Sequence, residues 1–441
     1  MSANDTTSVP VASVADTLAL TRDVILPTLA KGPIIRRRRV VGIAERHDLV
    51  GRAVRRMQQL HVRYGDVPLL MRIPVRKQAV LLAPEHVRRV LDGSPDPFAA
   101  DSSEKRASLS HFNPKTVLIS RGEDRADRRR FNEAVLDTGC PMHRLASRFR
   151  TVVEEEAGAL LARARRGAAL DWDIFSDAWF CVVRRVVLGD AARDDRSFTR
   201  LHERLRAYAN LAFVQPIRHT LRDRFLTRLN QYLDDPEPGS LAAIMGGTPT
   251  TPRTAPDHQP PHWMFAADPA GMTVFRTLAL LAAHPEHEER ARAEAAGSEP
   301  SLPFLRRCVL ETLRLWPTTP MILRESRTET RWESGMLPAG TGILIYAPFF
   351  HRDDRHLPFA HRFAPEVWEP GGAAAQWPFV PFSAGPVRCP AEDLVLMLTS
   401  SMLAALLRAG RYRERHPARL DASRAIPSTL DNYTLRFTID R

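Results

Sequence analysis

Apolar residues recur at helical spacing along most of the chain. Between Leu49 and Tyr64, for example, Leu49, Val54, Met57 and Leu60 fall on one face, and this period is typical of an amphipathic helix. Further helices are predicted over Pro84–Leu91, Gly122–Leu136, 142–166, 171–189, 197–235 (two helices), His262–Ala283, Leu302–Leu315 and from Glu392 onward. The pattern therefore predicts a mainly α protein.

Only a small part of the chain has the pattern of strands. Residues 69–82 (LLMRIPVRKQAVLL) indicate two short strands around a turn, and Leu337–Tyr346 is a further strand-like run. Residues 93–120 show no period and are interpreted as a long loop, whereas the Gly/Pro/Thr-rich residues 246–261 indicate an exposed linker. Residues 1–45 are expected to be a partly flexible leader with little core. The prediction is one large α+β domain over residues 46–441.

Composition and motif content argue against several classes of protein. The 441 residues carry a net charge of +12, which suits docking of an acidic partner, but no nucleic-acid-binding motif accompanies it. Four widely spaced cysteines without a CxxC form no disulfide framework or zinc signature. No run of 18 uncharged apolar residues predicts a transmembrane helix, and no signal-peptide pattern opens the chain. A soluble protein of the reducing cytoplasm is expected.

One of the four cysteines stands where a thiolate ligand could be stabilised. Residues 382–391 read FSAGPVRCPA, and an apolar helical stretch begins at Glu392. The free N–H groups of a helix start, the neighbouring Arg388 and a tight loop at Gly385 would favour a thiolate at Cys389. Haem iron is one metal held in this way. The alternative is that Cys389 is a small buried residue without a ligand role.

A second group of motifs precedes this loop. Glu311 and Arg314 lie three apart on one predicted helix; alone, such a pair would be a surface ion pair worth under about 1 kcal/mol. The motifs that follow this pair along the chain are a more specific signal than the pair itself. The pair is followed by LWPTTP at 315–320, Arg324, the strand-like run, HRD at 351–353, FAPE at 363–366 and then the cysteine loop.

This order of motifs resembles the cytochrome P450 family, over roughly residues 45–441. Phe382, Gly385 and Cys389 match the family's haem-binding loop in register, with two departures: Val387 where a basic residue is usual, and Ala391 where glycine is usual. The resemblance implies the cytochrome P450 fold and haem b, with Cys389 as the iron ligand and Phe382 beside the cofactor.

The resemblance also assigns arginines to the haem propionates. Arg125 and Arg129 lie four apart on a basic helix, where the alternative is a solvated face; the resemblance makes both propionate ligands, together with Arg324 and Arg388. It gives Glu311 and Arg314 a bracing role in folding. The usual third member of that network is an arginine two residues after Pro365. Val367 stands there, so Arg362 is an alternative third member.

The middle of the predicted helix His262–Ala283 departs from the family at its oxygen-activating position. Counted back from Pro285, the family's acid falls on Asp268 and its threonine on Pro269. The acid is kept and the alcohol is lost, while a kink can persist through the proline. Asp268 and Pro269 are therefore the candidate catalytic positions; the alternative for Asp268 is a plain polar residue at a kink.

The resemblance implies a monomeric, bacterial-type haem-thiolate monooxygenase, an oxidoreductase of secondary metabolism. It would oxidise an apolar small molecule with O₂ and electrons from ferredoxin and ferredoxin reductase. Residues 93–120 and 197–235 would face the substrate, whose identity no residue code reveals. Two alternatives stay open. One is a peroxide-using peroxygenase, whose branch also has this proline but with an arginine before it. The other is a haem-binding interaction protein without oxygenase activity.

Overall fold

The computed structural model of the chain describes residues 8–74, 76–167, 169–415 and 419–440. The α-helices are α1 (Val14–Leu20), α2 (Leu26–Ala30), α3 (Arg38–Arg46), α4 (Leu49–Tyr64), α5 (Pro84–Asp92), α6 (Ser103–Leu109), α7 (Gly122–Leu136), α8 (Ala146–Arg166), α9 (Trp172–Leu188), α10 (Arg196–Ala209), α11 (His219–Asp234), α12 (Leu241–Gly247), α13 (Pro260–Phe265), α14 (Ala267–Ala283), α15 (Pro285–Ala296), α16 (Pro303–Leu315), α17 (Ala347–His351) and α18 (Glu392–Ala409). The strands are β1 (Pro68–Met71), β2 (Gln78–Leu81), β3 (Phe98–Ala99), β4 (Leu170–Asp171), β5 (Met321–Ser326), β6 (Thr330–Trp332), β7 (Gly335–Leu337), β8 (Gly342–Tyr346), β9 (Arg411–Glu414) and β10 (Arg436–Asp440).

The mainly α prediction is confirmed, and the local sequence explains several helix ends. Helix α5 begins at Pro84. Proline suits this first position because the N–H that it lacks would have no hydrogen-bond partner within the helix. Helix α9 begins where the Asp171 carboxylate accepts from the Ile174 N–H at 3.0 Å. Helix α4 ends at Gly65, which has φ +74°. Among the described residues, no helix is both long enough and apolar enough to cross a bilayer.

The chain groups into two units. The first contains the described residues up to Glu104, Leu313–Cys389 and Pro427–Thr429. The second contains Lys105–Thr312, Pro390–Ile426 and the described residues from Leu430 onward. Helix α16 begins in the second unit and ends in the first.

A five-stranded sheet in the order β1-β2-β8-β5-β3 organises the first unit. The predicted hairpin is confirmed, because β1 and β2 pair antiparallel with Leu69 opposite Val80. Strand β8 then pairs parallel to β2 and antiparallel to β5, with Leu323 opposite Leu344. All five residues of β8 are buried, as expected for a central strand covered on both faces.

The N-terminal segment differs from the expected leader. Residues 1–7 lie outside the described residues, but from residue 8 onward the segment carries α1, α2, α3 and the π-helical turn Thr21–Ile25. Val9, Leu20 and Val24 lie in the hydrophobic core of the first unit. Main-chain hydrogen bonds also join the segment to β1, since the Ala12 N–H donates to the Leu70 carbonyl at 2.7 Å. Some apolar residues of this segment thus contribute to the core of the first unit, whereas others, such as Val14 and Leu18, are exposed.

The second unit is built from helices around an aromatic core. The Phe175 and Phe275 rings, from α9 and α14, stack with centroids 5.0 Å apart. Trp172 meets Phe275 edge-on at 5.8 Å. A three-stranded sheet in the order β4-β10-β9 completes the unit and brings Phe437 to 5.2 Å from Phe275. These contacts bury α14, which has no exposed residue along its length.

Two sequence-based predictions were wrong in detail. Residues 93–120 are not a plain loop, because they contain β3, α6 and the 3₁₀ turn Val117–Ile119. The predicted continuous helix His262–Ala283 is instead two helices, α13 and α14, separated at Ala266. Elements as short as β3 and α6 contain too few residues to display a period. The predicted stop before Pro285 is confirmed.

Candidate functional site

The loop before Cys389 is closed by main-chain hydrogen bonds. The Cys389 N–H donates to the Phe382 carbonyl at 2.9 Å, and the Arg388 N–H donates to the Gly385 carbonyl at 2.9 Å across a 3₁₀ turn. Cys389 is half-buried. Helix α18 begins three residues later at Glu392. The sequence thus places the sulfur at the end of a tight loop and just before a long helix.

Glycine is required at position 385 for two reasons. Its φ is +65°, a left-handed conformation that disfavours a side chain. A Cβ atom there would also lie 2.2 Å from the Leu91 carbonyl oxygen and 2.7 Å from the Leu91 carbonyl carbon. The loop therefore rests directly on the backbone of α5. This close approach explains why the glycine of the motif is present.

Arg324 anchors the same loop from β5. Only 2% of the residue is exposed. Its guanidinium donates to Ser94 Oγ at 2.9 Å, to Ser383 Oγ at 3.1 Å and to the Leu323 carbonyl at 3.0 Å. Ser383 itself has φ +63°, so a non-glycine residue in the left-handed region presents its hydroxyl to the arginine. These hydrogen bonds run to neutral oxygens.

The two departures from the family loop are accommodated. Val387 is buried within the 3₁₀ turn, so an apolar residue fits this position. Ala391 is buried at the N-cap of α18 with φ −93°, a conformation that any residue adopts. Arg388, the neighbouring basic residue, is exposed.

Arg314 braces the segment before the cysteine loop. It is fully buried and donates to the carbonyls of His351 (2.8 Å), Ala360 (3.2 Å), Phe359 (3.2 Å) and Arg362 (2.9 Å). Four backbone carbonyls are thereby held by one rigid cation.

Burial and side-chain placement test two alternatives for the Glu311–Arg314 motif. Glu311 is as fully buried as Arg314, so the surface-ion-pair alternative is wrong. Arg362 is an exposed residue that offers its carbonyl to Arg314, so its side chain does not replace the missing arginine; Val367 is buried.

In the second unit, Arg125 and Arg129 lie on α7 as predicted. Arg125 is 7% exposed and donates to the Val117 carbonyl at 2.9 Å, so the solvated-face alternative is wrong for this residue. Arg129 donates to Glu133 Oε1 at 2.5 Å. Its positive charge also helps lower the pKa of His262 to about 4, although burial is the larger cause. Both arginines therefore belong to a partly buried face of α7.

The break between α13 and α14 lies just before the candidate catalytic positions. The Ala266 N–H donates to the carbonyls of His262 (3.3 Å) and Trp263 (3.2 Å), which tightens the last turn of α13. Pro269 has no N–H to continue the helical pattern back to Phe265. The Trp179 indole N–H donates to the Ala267 carbonyl at 2.8 Å and so satisfies one carbonyl beside the break. The helical pattern is thus interrupted at Ala266, three residues before the proline.

Asp268 forms an ion pair that the sequence analysis missed. The Arg206 guanidinium on α10 contacts the Asp268 carboxylate, with 1% of the arginine side chain and 22% of the aspartate side chain exposed. One signal was available. Arg206 follows Phe198 and His202 at intervals of four on the apolar face of α10. A charged residue in that register is buried, and a buried cation needs a partner.

Comparisons with known proteins identify the fold. The sequence model described as Cytochrome P450 matches residues 264–416. In structure, the chain superimposes on the crystal structure of a cytochrome P450 (CYP102L1) with a TM-score of 0.74, covering 98% of each chain at 16% identity. It also matches retinoic acid-bound cyanobacterial CYP120A1 with a TM-score of 0.70, covering 87% of this chain and 93% of that chain at 17% identity.

The chain therefore has the cytochrome P450 fold, and its residues 264–416 are similar in sequence to the cytochrome P450 family. Among curated relatives, it is 34% identical over 148 residues to cyclooctat-9-en-7-ol 5-monooxygenase of Streptomyces melanosporofaciens, covering 31% of this chain and 32% of that protein. It is 30% identical over 156 residues to cytochrome P450 4c3 of Drosophila melanogaster, covering 32% of this chain and 29% of that protein. The sequence matches thus cover about a third of the length of each relative. The structural match to CYP102L1, in contrast, covers 98% of this chain.

Haem b is the cofactor of cytochromes P450, and the first unit offers residues that fit it. Cys389 supplies a thiol sulfur, the donor that holds haem iron in this family. Arg324 supplies a buried guanidinium, a group that pairs with carboxylates such as a haem propionate. Ser383 connects the two, because it lies in the cysteine loop and accepts from Arg324. The donor types therefore match a haem with one thiolate ligand and anionic side chains.

Proposed function

We propose that the chain is a haem-thiolate monooxygenase that oxidises an apolar small molecule with O₂. The observation that carries the proposal is the Cys389 loop, which is closed on itself, seated on α5 and hydrogen-bonded through Ser383 to the buried Arg324. A loop held in this way offers a sulfur ligand at a defined position. Preorganised ligands of this kind let a protein tune its cofactor.

Each site residue has a proposed role. Cys389 would be the iron ligand, with Phe382 beside the cofactor. Arg125, Arg129, Arg324 and Arg388 would pair with the propionates, as bidentate guanidinium groups suit carboxylates. When bound, the haem supplies the oxygen-activating chemistry. Glu311 and Arg314 would act in folding, by bracing the backbone that leads to the cysteine loop.

Asp268 and Pro269 would manage protons at the oxidation step. Pro269 carries no hydroxyl, so the alcohol usual at this position is missing. Protons would therefore pass through Asp268 and water, or through a polar group of the substrate. Arg206 would be a positioning residue, since its guanidinium holds the Asp268 carboxylate.

Electrons would come from ferredoxin and a ferredoxin reductase. A net charge of +12 would attract an acidic electron donor. A role in secondary metabolism would agree with the Streptomyces relative, whose name describes a monooxygenase acting on cyclooctat-9-en-7-ol. The enzyme would act as a monomer.

A peroxide-using oxygenase is the second candidate, and the Arg206–Asp268 pair is the observation that favours it. Peroxygenases of the family combine this proline with an arginine immediately before it. Here the preceding residue is Asp268, but a guanidinium reaches that position from α10. The chain thus has a cation beside Pro269, although not in the usual place along the sequence.

Turnover experiments separate the candidates. The haem-loaded protein would be incubated with an extract of apolar terpenes and steroids, and oxygenated products would be detected by mass spectrometry. Products that require ferredoxin, reductase, NAD(P)H and O₂ support the monooxygenase, whereas products formed with hydrogen peroxide alone support the second candidate. Cys389→Ser should abolish either reaction, and Cys140→Ser, at an exposed cysteine, should leave it unchanged. Full activity of Cys389→Ser would overturn both candidates.

A further inference from the structure

Helix α10 carries two buried polar side chains on the face that meets Asp268. His202 and Arg206 lie four apart and are 2% and 1% exposed. Arg206 pairs with Asp268. Within the part of the chain that the structure describes, however, Arg206 Nε and His202 Nε2 have no hydrogen-bond partner. The same holds for both side-chain amide atoms of Asn113, which is 1% exposed.

Aromatic contacts join His202 and Arg206 into one cluster. The Phe112 ring lies 5.6 Å from the His202 ring and 5.8 Å from the Phe265 ring, measured between centroids. The Arg206 guanidinium carbon lies 5.9 Å from the Phe265 centroid. The unpartnered atoms of His202 and Arg206 therefore lie among apolar rings, and Phe265 comes three residues before Asp268.

The energetics favour a ligand that supplies hydrogen bonds at this cluster. A buried donor or acceptor without a partner destabilises the folded protein, and the penalty is larger for a charged group. Natural proteins keep such atoms rarely, and then usually where another molecule satisfies them. Water could do so in the resting protein, but a substrate oxygen at the same place would replace it.

The charges in the cluster indicate which kind of ligand oxygen it would bind. The Arg206 cation is already matched by the Asp268 carboxylate. Burial holds the pKa of His202 well below its usual value, and the nearby Arg206 charge lowers it further, so the imidazole is neutral. An additional negative charge would find no unmatched cation here, and burying it would be unfavourable. A hydroxyl or carbonyl oxygen fits without that penalty.

We infer that the substrate is an apolar molecule bearing a neutral oxygen, a hydroxyl or a ketone, and that Arg206 Nε and His202 recognise this oxygen. The inference rests on the proposed function and adds a substrate class to it. His202 would determine specificity through a hydrogen bond. Arg206 would serve twice, because it also positions Asp268.

Calorimetric titration of the full-length, haem-loaded protein tests the inference with three probes of one skeleton. These are cyclohexylbenzene, phenylcyclohexanone and phenylcyclohexanecarboxylate. The ketone should bind about tenfold more tightly than the hydrocarbon, as one added hydrogen bond to a charged donor allows. The carboxylate should bind more weakly than the ketone. Equal binding of hydrocarbon and ketone, or preference for the carboxylate, would overturn the inference.

Two variants assign the preference to the named atoms. His202→Phe keeps an aromatic ring against Phe112 and Phe225 but removes the ring nitrogens. Arg206→Lys keeps a cation for Asp268 but removes the Nε donor. Each should reduce the ketone's advantage over the hydrocarbon by about threefold to tenfold, while hydrocarbon affinity changes less than about twofold. An unchanged advantage in both variants would contradict the assignment.

A control variant and an absorption spectrum distinguish failure of this inference from failure of the proposed function. His86→Phe removes another unpartnered ring nitrogen, on a histidine that packs 4.9 Å from Trp332 in the first unit, and should leave the ratio unchanged. The absorption spectrum of the reduced protein with carbon monoxide is recorded on each sample. A protein without thiolate-bound haem would contradict the proposed function. A thiolate-bound haem protein without ketone preference would contradict only this inference.

Discussion

Arg324 Nη2 donates a hydrogen bond to Ser383 Oγ at 3.1 Å, and this contact ties strand β5 to the loop that ends at Cys389. The arginine is almost completely buried, and the serine accepts from a left-handed backbone position. A buried guanidinium is stabilised further by any carboxylate that reaches it. The pair thus connects the proposed sulfur ligand with a proposed propionate ligand inside one unit.

Replacing Arg324 should therefore weaken haem retention. In Arg324→Met, loss of charge-assisted hydrogen bonds worth about 1.5–3 kcal/mol should lower haem affinity about tenfold or more. The measurement is haem transfer to apomyoglobin, followed by absorbance. Arg331→Met, at an exposed position on β6, is the control and should behave as the parent protein. Parental haem affinity in Arg324→Met would show that this arginine holds no propionate.

Two glycine variants should separate backbone strain from close packing. Gly385 and Gly371 both have positive φ, +65° and +78°, but only at Gly385 would a Cβ meet neighbouring backbone; at Gly371 nothing lies within 4 Å. Gly371→Ala should cost about 1–2 kcal/mol of stability, the price of left-handed strain alone. Gly385→Ala should cost about 3 kcal/mol or more and disturb the cysteine loop. Urea unfolding and haem content measure both effects, and equal costs would contradict the packing of this loop on α5.

Restoring the missing alcohol should improve coupling if O₂ is the oxidant. Pro269→Thr supplies a hydroxyl and an N–H next to Asp268, so protons should be delivered more reliably. The expected result is less hydrogen peroxide released per NAD(P)H consumed with ferredoxin and reductase. Thr273→Val is a useful comparison, because its hydroxyl donates to the Pro269 carbonyl at 2.7 Å and has no predicted proton role. If Pro269→Thr released as much peroxide as the parent, the position would have no such role.

Stability should fall on mild acidification because of buried neutral histidines. Burial lowers the pKa of His351 to about 3 and that of His262 to about 4, from a usual value of 6.5. Below about pH 6.5 the unfolded chain therefore binds protons that the folded chain does not. Stability is complete above this pH and is lost as the pH falls toward the folded values.

Between about pH 7.5 and 5.5, each such histidine should remove about 1.4 kcal/mol of unfolding free energy. Urea unfolding at the two pH values measures the loss. His262→Phe should reduce the loss by one histidine's share, whereas His351 also accepts from the Val380 N–H at 2.9 Å and cannot be replaced as simply. A stability that stays constant over this interval would contradict the neutral, buried state of both rings.

Much of the fold followed from sequence because its signals are local. The helix Leu49–Tyr64 and the start of α5 at Pro84 were predicted at the observed positions, since periodicity and proline placement depend only on neighbouring residues. The break at Ala266 was missed. Periodicity continues across it, and the Trp179 indole that satisfies the Ala267 carbonyl comes from a distant helix.

The candidate site likewise contains some residues that could be identified from sequence and others that could not. Cys389, Gly385 and Arg314 were identified from motifs, and their burial and hydrogen bonds give each a physical reason. Arg206 could not be assigned to Asp268 from sequence, because 62 residues separate the two and their pairing depends on how α10 packs on α14. The exposure of Arg362 was likewise invisible in the sequence, although its carbonyl contributes to the Arg314 network.

The most direct test of the central claim is the absorption spectrum of the purified, dithionite-reduced protein with carbon monoxide. Haem bound through the Cys389 thiolate predicts a strongly red-shifted Soret band, which Cys389→Ser should abolish and Cys140→Ser should leave unchanged. A Soret band at the ordinary haem-protein position, or no bound haem, would contradict the account.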